Sequence, residues 1–209
     1  FVFELSKLTT LPILTNVSDN DHLVGGVGND TIDGGAGIDT AIYSSSRGSY
    51  TLTLGATTTV QDKRTTAQSD GTDSLKDIGR LKFTDLSVAT DLDGHAGQAA
   101  KLLGAVFGAA SVTNKQFVGI ALSLLDGGMS YEQLASAALG VTGKTSNSDV
   151  ASLLWTNLFG VAPTPDQLAP VVAILAGGMS QGALTVLVAD TSFNTEKINL
   201  VGLTQTGIE

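Results

Sequence analysis

The chain has no cysteine. That excludes disulfides, zinc–thiolate sites and a thiol nucleophile together. Basic residues are also scarce: 11 Lys and Arg stand against 20 Asp and Glu, for a net charge of −9. A surface of that sign repels phosphate backbones and anionic lipid, so no nucleic-acid partner is expected. There are only 2 histidines, His22 and His95, and no H-E-x-x-H, so a zinc-protease centre finds no ligand set in this sequence. No uninterrupted apolar run reaches about 18 residues, so no membrane span is expected. What remains is 209 residues, 42% hydrophobic, with a mean hydropathy of +0.23. That is enough for one large or two small domains with a real core.

Against this background two nine-residue units lie head to tail. They read Gly25-Gly26-Val27-Gly28-Asn29-Asp30-Thr31-Ile32-Asp33 and Gly34-Gly35-Ala36-Gly37-Ile38-Asp39-Thr40-Ala41-Ile42. Both match G-G-x-G-x-D-x-U-x, the repeat of calcium-binding parallel β-rolls. A third, degenerate unit, Asn16 to Val24, keeps Asp21 and Leu23 in the acidic and apolar places. Calcium takes roughly six to eight oxygens, from carboxylates and backbone carbonyls. Glycines let the backbone turn through positive φ and aim carbonyls at an ion, while Asp adds a short charged ligand. The apolar residue two places later points inward, because side chains alternate along a strand. The expected metal ligands and their turns are therefore Asp21, Gly25, Gly26, Gly28, Asp30, Gly34, Gly35, Gly37 and Asp39, and the expected cofactor is Ca2+. Each unit is one turn plus one short strand, and two units make one coil. Asp21 and Asp39 are expected to share a site, with Asp30 on the opposite side lacking a partner unit, so one or two ions are expected. Between Asp19 and Asp39 there are five Asp and no Lys or Arg. Such crowding disfavours compaction until a cation arrives.

At these residues the chain resembles the RTX (repeat-in-toxin) family of Gram-negative bacteria, exported by type I secretion. The order Asp39-Thr40-Ala41-Ile42-Tyr43-Ser44, Tyr50-Thr51-Leu52-Thr53, then Asp70-Gly71-Thr72-Asp73-Ser74-Leu75 with Ile78, Leu81 and Phe83 is similar to the segment that closes the β-roll in such proteins. The helical remainder also looks like their C-terminal regions, which often carry duplicated helical domains. The repeats here are far fewer than is common in the family. The resemblance implies a secreted, extracellular or cell-surface protein, the type I secretion machinery as a partner, and an uncleaved C-terminal export signal. Residues 190–203, poor in basic and rich in small hydroxylated and apolar residues, fit such a signal; a terminal helix packed on the last domain is the alternative. No N-terminal signal peptide is visible, and the opening at Phe1 reads as a fragment or processed piece.

The expected fold is α+β: residues 1–93 as a short parallel β-roll with capping strands, and 94–209 as an all-α domain of two similar units. Phe1, Phe3 and Leu5, then Tyr50, Leu52 and Leu54, then Leu81, Phe83 and Val88, alternate with polar neighbours. From about Gly94 the period becomes helical. Phe117, Ile120, Ala121, Leu124 and Leu125 form one stripe, opened by a Thr113 to Gln116 capping box and closed by Gly127-Gly128. Val150, Leu153, Leu154 and Leu158 form another. Thr164, with Pro165 and Gln167, opens a third helix that carries Leu168, Val171, Val172 and Leu175 inward and ends at Gly177-Gly178. Leu124-Leu125-Asp126-Gly127-Gly128-Met129-Ser130 returns as Ile174-Leu175-Ala176-Gly177-Gly178-Met179-Ser180, and Phe107-Gly108 as Phe159-Gly160. Each unit reads helix, Phe-Gly loop, helix, Gly-Gly-Met-Ser turn, helix, with Ser130 and Ser180 as N-caps.

Gly178-Met179-Ser180-Gln181-Gly182 fits G-x-S-x-G, but a nucleophile elbow needs a preceding strand, and a helix is expected there. Asp91-Leu92-Asp93-Gly94 resembles the start of a calcium loop, yet position 12 is Leu102, which excludes an EF-hand. Asp70, Asp73, Asp91 and Asp93 stay as further metal candidates, and Trp155 reads as core. The functional reading is a non-catalytic, calcium-binding region. The alternatives are an adhesion or surface-layer module whose helices bind a protein, a glycan or another copy, and a serine hydrolase using Ser180.

Overall fold

The computed structural model describes residues 19–55, 57–200, 202–203 and 207–209, together with the backbone of residues 2–4 and 13–15. Expectations on Phe1, Leu5 and the start of the degenerate repeat at Asn16 lie outside the described residues. The chain is α+β and divides into two compact units, Phe1–Leu92 with Gly202–Glu209, and Asp93–Val201.

The first unit contains two five-stranded sheets. Strands β1 (Val2–Glu4), β3 (His22–Val24), β5 (Thr40–Ile42), β9 (Arg80–Lys82) and β10 (Ser87–Ala89) make one, in that order. Strands β2 (Ile13–Thr15), β4 (Thr31–Asp33), β8 (Thr72–Lys76), β7 (Thr58–Asp62) and β6 (Tyr50–Thr53) make the other. Successive strands from β1 to β5 alternate between the sheets, so every second strand returns alongside its predecessor. His22 aligns with Thr40 and Thr31 with Ser74, both in parallel. The alternation follows from the repeat: each glycine-rich turn reverses the chain, and in β3, β4 and β5 only the central apolar side chain is buried. Leu23, Ile32 and Ala41 are 3%, 1% and 0% exposed, and Leu75 and Leu81 extend the same core.

The third circuit is interrupted. After β5 the chain departs through residues 43–71, which hold a 3-10 turn (Arg47–Ser49) and the antiparallel pair β6 and β7, before β8 resumes beside β4. Tyr43, Tyr50 and Phe83 cluster where the detour leaves, with ring centroids 5.2 to 5.4 Å apart, Tyr43 stacked on Phe83 and Tyr50 tilted against both. The expected boundary assigned the whole tail to the helices. Instead, Gly202–Glu209 belongs with the β unit, because Ala89 and Ile208 exchange two backbone hydrogen bonds of 2.8 and 2.9 Å.

The second unit is built around α1 (His95–Phe107), which buries nine residues, most of them Ala or Gly. Its small side chains let α2 (Lys115–Asp126), α3 (Tyr131–Thr142), α4 (Asn147–Phe159), α6 (Gln181–Ala189) and α7 (Ser192–Lys197) pack closely on it, while α5 (Pro165–Ala176) leans on α4. Thr164 and Gln167 form the expected capping box of α5, and Ser130 and Gln133 form another on α3. The expected cap at Thr113 is displaced: Asn114 caps α2, its side chain accepting from the backbone of Gln116 and Phe117, because Thr113 closes a 3-10 turn (Ala109–Thr113). The α2 stripe is also rotated. Val118, Ala121 and Leu125 are buried, whereas Ile120 is 52% exposed.

Candidate metal centre

The two glycine-rich turns sit on opposite edges of the β unit, since residues 25–30 lead from the first sheet to the second and residues 34–39 lead back. Each edge is stitched in the same way. At the 34–39 edge, the Asp21 N–H donates to Asp39 Oδ1 at 2.9 Å, and the Ile38 N–H donates to Asn20 Oδ1 at 2.8 Å. At the 25–30 edge, the Asp30 N–H donates to Asp73 Oδ1 at 3.0 Å, and the Thr72 N–H donates to Asn29 Oδ1 at 2.8 Å. Asp21 and Asp39 therefore meet. Asp30, expected to lack a partner unit, faces Asp73. The segment Gly71-Thr72-Asp73-Ser74-Leu75 carries the second half of the repeat, G-x-D-x-U, and that was the signal available in the sequence.

The glycines permit this geometry through close approach as well as through φ. Gly26, Gly28, Gly35 and Gly37 have positive φ. A Cβ on Gly25 would lie 2.8 Å from Asp30 Oδ2, and one on Gly34 would lie 2.6 Å from Asp39 Oδ2 and 2.3 Å from the Asp77 carbonyl oxygen. Each aspartate thus folds one oxygen over the first glycine of its own turn. Asp30 and Asp39 are 9% and 0% exposed, and in both Oδ2 is buried without a hydrogen-bond partner. A buried anionic oxygen in that state is costly. Burial raises the Asp30 carboxyl above the usual carboxylate range. Burial also raises Asp39, helped by the charges of Asp21, Asp77 and Asp33 and opposed by the Asp21 N–H. Asp73, 1% exposed, is pushed up to about 7, chiefly by burial. Lys76 serves this region from outside, donating to Asp33 at 2.7 Å.

The donor set suits a hard cation: carboxylates in ones and twos, turn carbonyls and no sulfur. Among the described residues no three acidic or imidazole side chains converge. Any ion at these turns would draw much of its coordination from backbone carbonyls, as a calcium site permits.

The other candidates have different partners. Asp70 accepts from Tyr50 Oη, from the Ser44 hydroxyl at 2.8 Å and from the Ser44 N–H at 3.1 Å. Arg64 binds Asp62 through Nε and Nη2 and approaches Asp70 at 3.4 Å. Asp91 pairs with Arg80, and Asp93 is exposed. His22 is exposed in β3, and His95 Nδ1 lies 2.8 Å from Asp126. Ser180 follows helix α5 rather than a strand, caps α6 by accepting from the Ala183 N–H, and donates to Glu132. Trp155 is half-buried, with its ring 4.5 Å from that of Phe159 and tilted by 49°. Among the described residues no helix is long and apolar enough to cross a membrane. No family model, curated protein or solved structure matches the chain.

Proposed function

We propose that the first unit is a short calcium-binding β-roll in the C-terminal region of an RTX-type exported protein, and that this region is non-catalytic. One observation carries the reading: in both repeats the motif aspartate is buried, with an oxygen that no protein donor satisfies. A divalent cation converts that liability into an attraction. The residues that would hold it are Asp21 and Asp39 with the turn 34–39 at one edge, and Asp30 with the turn 25–30 at the other. Glycines 25, 26, 28, 34, 35 and 37 supply the turns and the carbonyl-bearing backbone.

Calcium would supply charge compensation rather than chemistry. At extracellular affinities of roughly 0.1–1 mM, such sites stay unfilled in the cytosol and fill outside the cell. At ten times Kd each filled site adds about 1.4 kcal/mol of stability. A unit that stays loose before export by the type I machinery, and orders afterwards, fits that dependence. The helical unit, read as two similar halves, is then a docking or targeting module.

The second reading, an adhesion or surface-layer module that binds a protein, a glycan or another copy, draws on Phe159, Val161 and Phe193, which are 43%, 63% and 60% exposed. Their rings are tilted, Phe159 to Phe193 by 59°, so they make no flat platform for a sugar face.

The test is a calcium titration followed by thermal melting and native mass spectrometry, with Asp39→Asn alongside. Calcium raises the wild-type melting temperature and binds as discrete ions, and Asp39→Asn binds one ion fewer. A wild type whose melting is indifferent to millimolar calcium sinks the proposal.

A further inference from the structure

We propose that the outward face of helix α5 is the surface through which two copies of this chain pair, α5 antiparallel to α5 about a two-fold axis. This gives the docking reading of the helical unit a surface and a partner. It does not depend on calcium, since α5 lies wholly in the helical unit.

Three observations converge. The first is composition. From Leu168 to Ala176 every residue of α5 is apolar. A helix that is apolar all round belongs in an interior. Yet α5 packs mainly on α4 and fully buries only Leu175. Ala169, Pro170, Ala173 and Ile174 face solvent, Ile174 at 49% exposure.

The second is the sister helix, fifty residues earlier. The exposed face of α2 carries Lys115, Gln116 and Ser123 beside Gly119 and Ile120, as a solvent-facing surface should. Its Val118 and Ala121 are buried, whereas their counterparts Leu168 and Val171 are only half-buried. The linkers differ in the same sense. Val112, in the 3-10 turn before α2, is buried, and Val161, before α5, is 63% exposed. The first repeat is closed and the second is open. Like repeats bury their faces against one another, so the partner of matching shape is another copy.

The third is charge. Asp166 is the only charged residue between Asp149 and Asp190. A chain of net charge −9 repels a second copy wherever carboxylates meet, and this face brings almost none. In an antiparallel pair the two Asp166 side chains sit at opposite ends of the contact. A lipid surface would call for basic residues beside the apolar face, and none lies between Lys144 and Lys197. A basic protein would find no carboxylate on this face beyond Asp166.

The experiment is sedimentation equilibrium of the full chain, in chelator and in millimolar calcium. The wild type is expected to form a reversible dimer under both conditions. Added salt is expected to strengthen it, because salt screens the net charge and leaves an uncharged contact intact. Ala173→Glu is expected to weaken the dimer about a hundredfold, since the two-fold axis places the new charge on both sides of the contact. Its circular dichroism is expected to stay native, because Ala173 is exposed. Ala137→Glu adds the same charge at an exposed position of α3 and is expected to keep the dimer. A wild type that stays monomeric into the millimolar range overturns the pairing, and the docking reading then needs another partner. A dimer that survives Ala173→Glu, or one lost equally in Ala137→Glu, overturns the α5 surface. Monomers that bind neutral phosphatidylcholine vesicles assign the face to lipid and overturn the pairing as well. Should Ala173→Glu lose its native circular dichroism, Ala169→Glu on the same face decides by the same criterion. Calcium stoichiometry is read separately, so none of these outcomes bears on the metal sites.

Discussion

At the residue scale the β unit is a problem of buried carboxylates, solved in two ways. Asp30 and Asp39 have an oxygen that no protein donor reaches. Asp62 is fully satisfied: Arg64 donates to it from Nε at 2.9 Å and Nη2 at 2.7 Å, and the Asp70 N–H donates at 2.8 Å. The Arg64 guanidinium, through these bonds, holds the Asp62 carboxyl far below the usual carboxylate range. A depressed folded value means that the contribution to stability is whole above about pH 4, the unfolded value, and is lost as pH falls towards the folded one. Arg64→Met leaves Asp62 buried and unpaired. It is expected to cost about 3 kcal/mol at neutral pH and to move acid unfolding to higher pH, read by circular dichroism against pH. Comparing variant with wild type cancels the opposite effect of Asp30, Asp39 and Asp73, which burial raises. An unchanged acid midpoint would leave the Arg64 clamp without energetic weight.

At the element scale the helices are defined by their ends and held by small residues. Ser130, Ser146, Thr164, Ser180 and Thr191 each accept a backbone N–H at a helix start. Carbonyls at helix ends are taken by other helices: Asn157 donates to the Ala105 and Val106 carbonyls, and Lys197 to those of Asn157 and Leu158. One close approach is that of α1 to α7. A Cβ on Gly104 would fall 2.3 Å from Ile198 Cγ2 and 3.0 Å from Asn194 Oδ1. Asn194 is held in turn by the carbonyls of Lys101 and Ala189, both at 2.8 Å. In an exposed helix, Gly→Ala gains roughly 1 kcal/mol. Here Gly104→Ala is expected to lose about 1–3 kcal/mol in urea unfolding, because the overpacked neighbours are locked. A stabilised variant would mean that α7 is free to retreat. The caps at Ser130, Thr164 and Ser180 and the stops at Gly127 and Gly177 were legible locally, since they depend on one or two side chains and the adjacent backbone. The rotation of α2 was not. Val118 and Ile120 are both apolar and β-branched, and only the packing around α1 chooses Val118 for the core.

At the scale of the whole molecule, a β unit and a helical unit share one chain, both with an excess of acidic residues. Thirteen acidic and seven basic residues lie in the β unit, and seven and four in the helical unit. The turns proposed to hold calcium all lie in the first unit, so calcium is expected to act on that unit alone. Differential scanning calorimetry in chelator and in millimolar calcium is expected to move one transition upward and leave the other in place. A single transition that moves as a whole would mean that the units unfold together.

The sequence by itself determined the nine-residue alternation of turn and strand, the α+β class and the helix caps at Ser130, Thr164 and Ser180, because glycine, aspartate and cap residues act on the backbone within a few positions of themselves. It also placed Asp21 beside Asp39, since unbroken repeats stack at a constant interval. Only the tertiary structure decided that Asp30 faces Asp73, that Ile208 joins the edge strand at Ala89, and that Gly104 is a contact point. The physical reason is sequence distance. Asp30 and Asp73 are brought together by the parallel register of β4 and β8, which depends on where the detour between them returns, and no local preference encodes that.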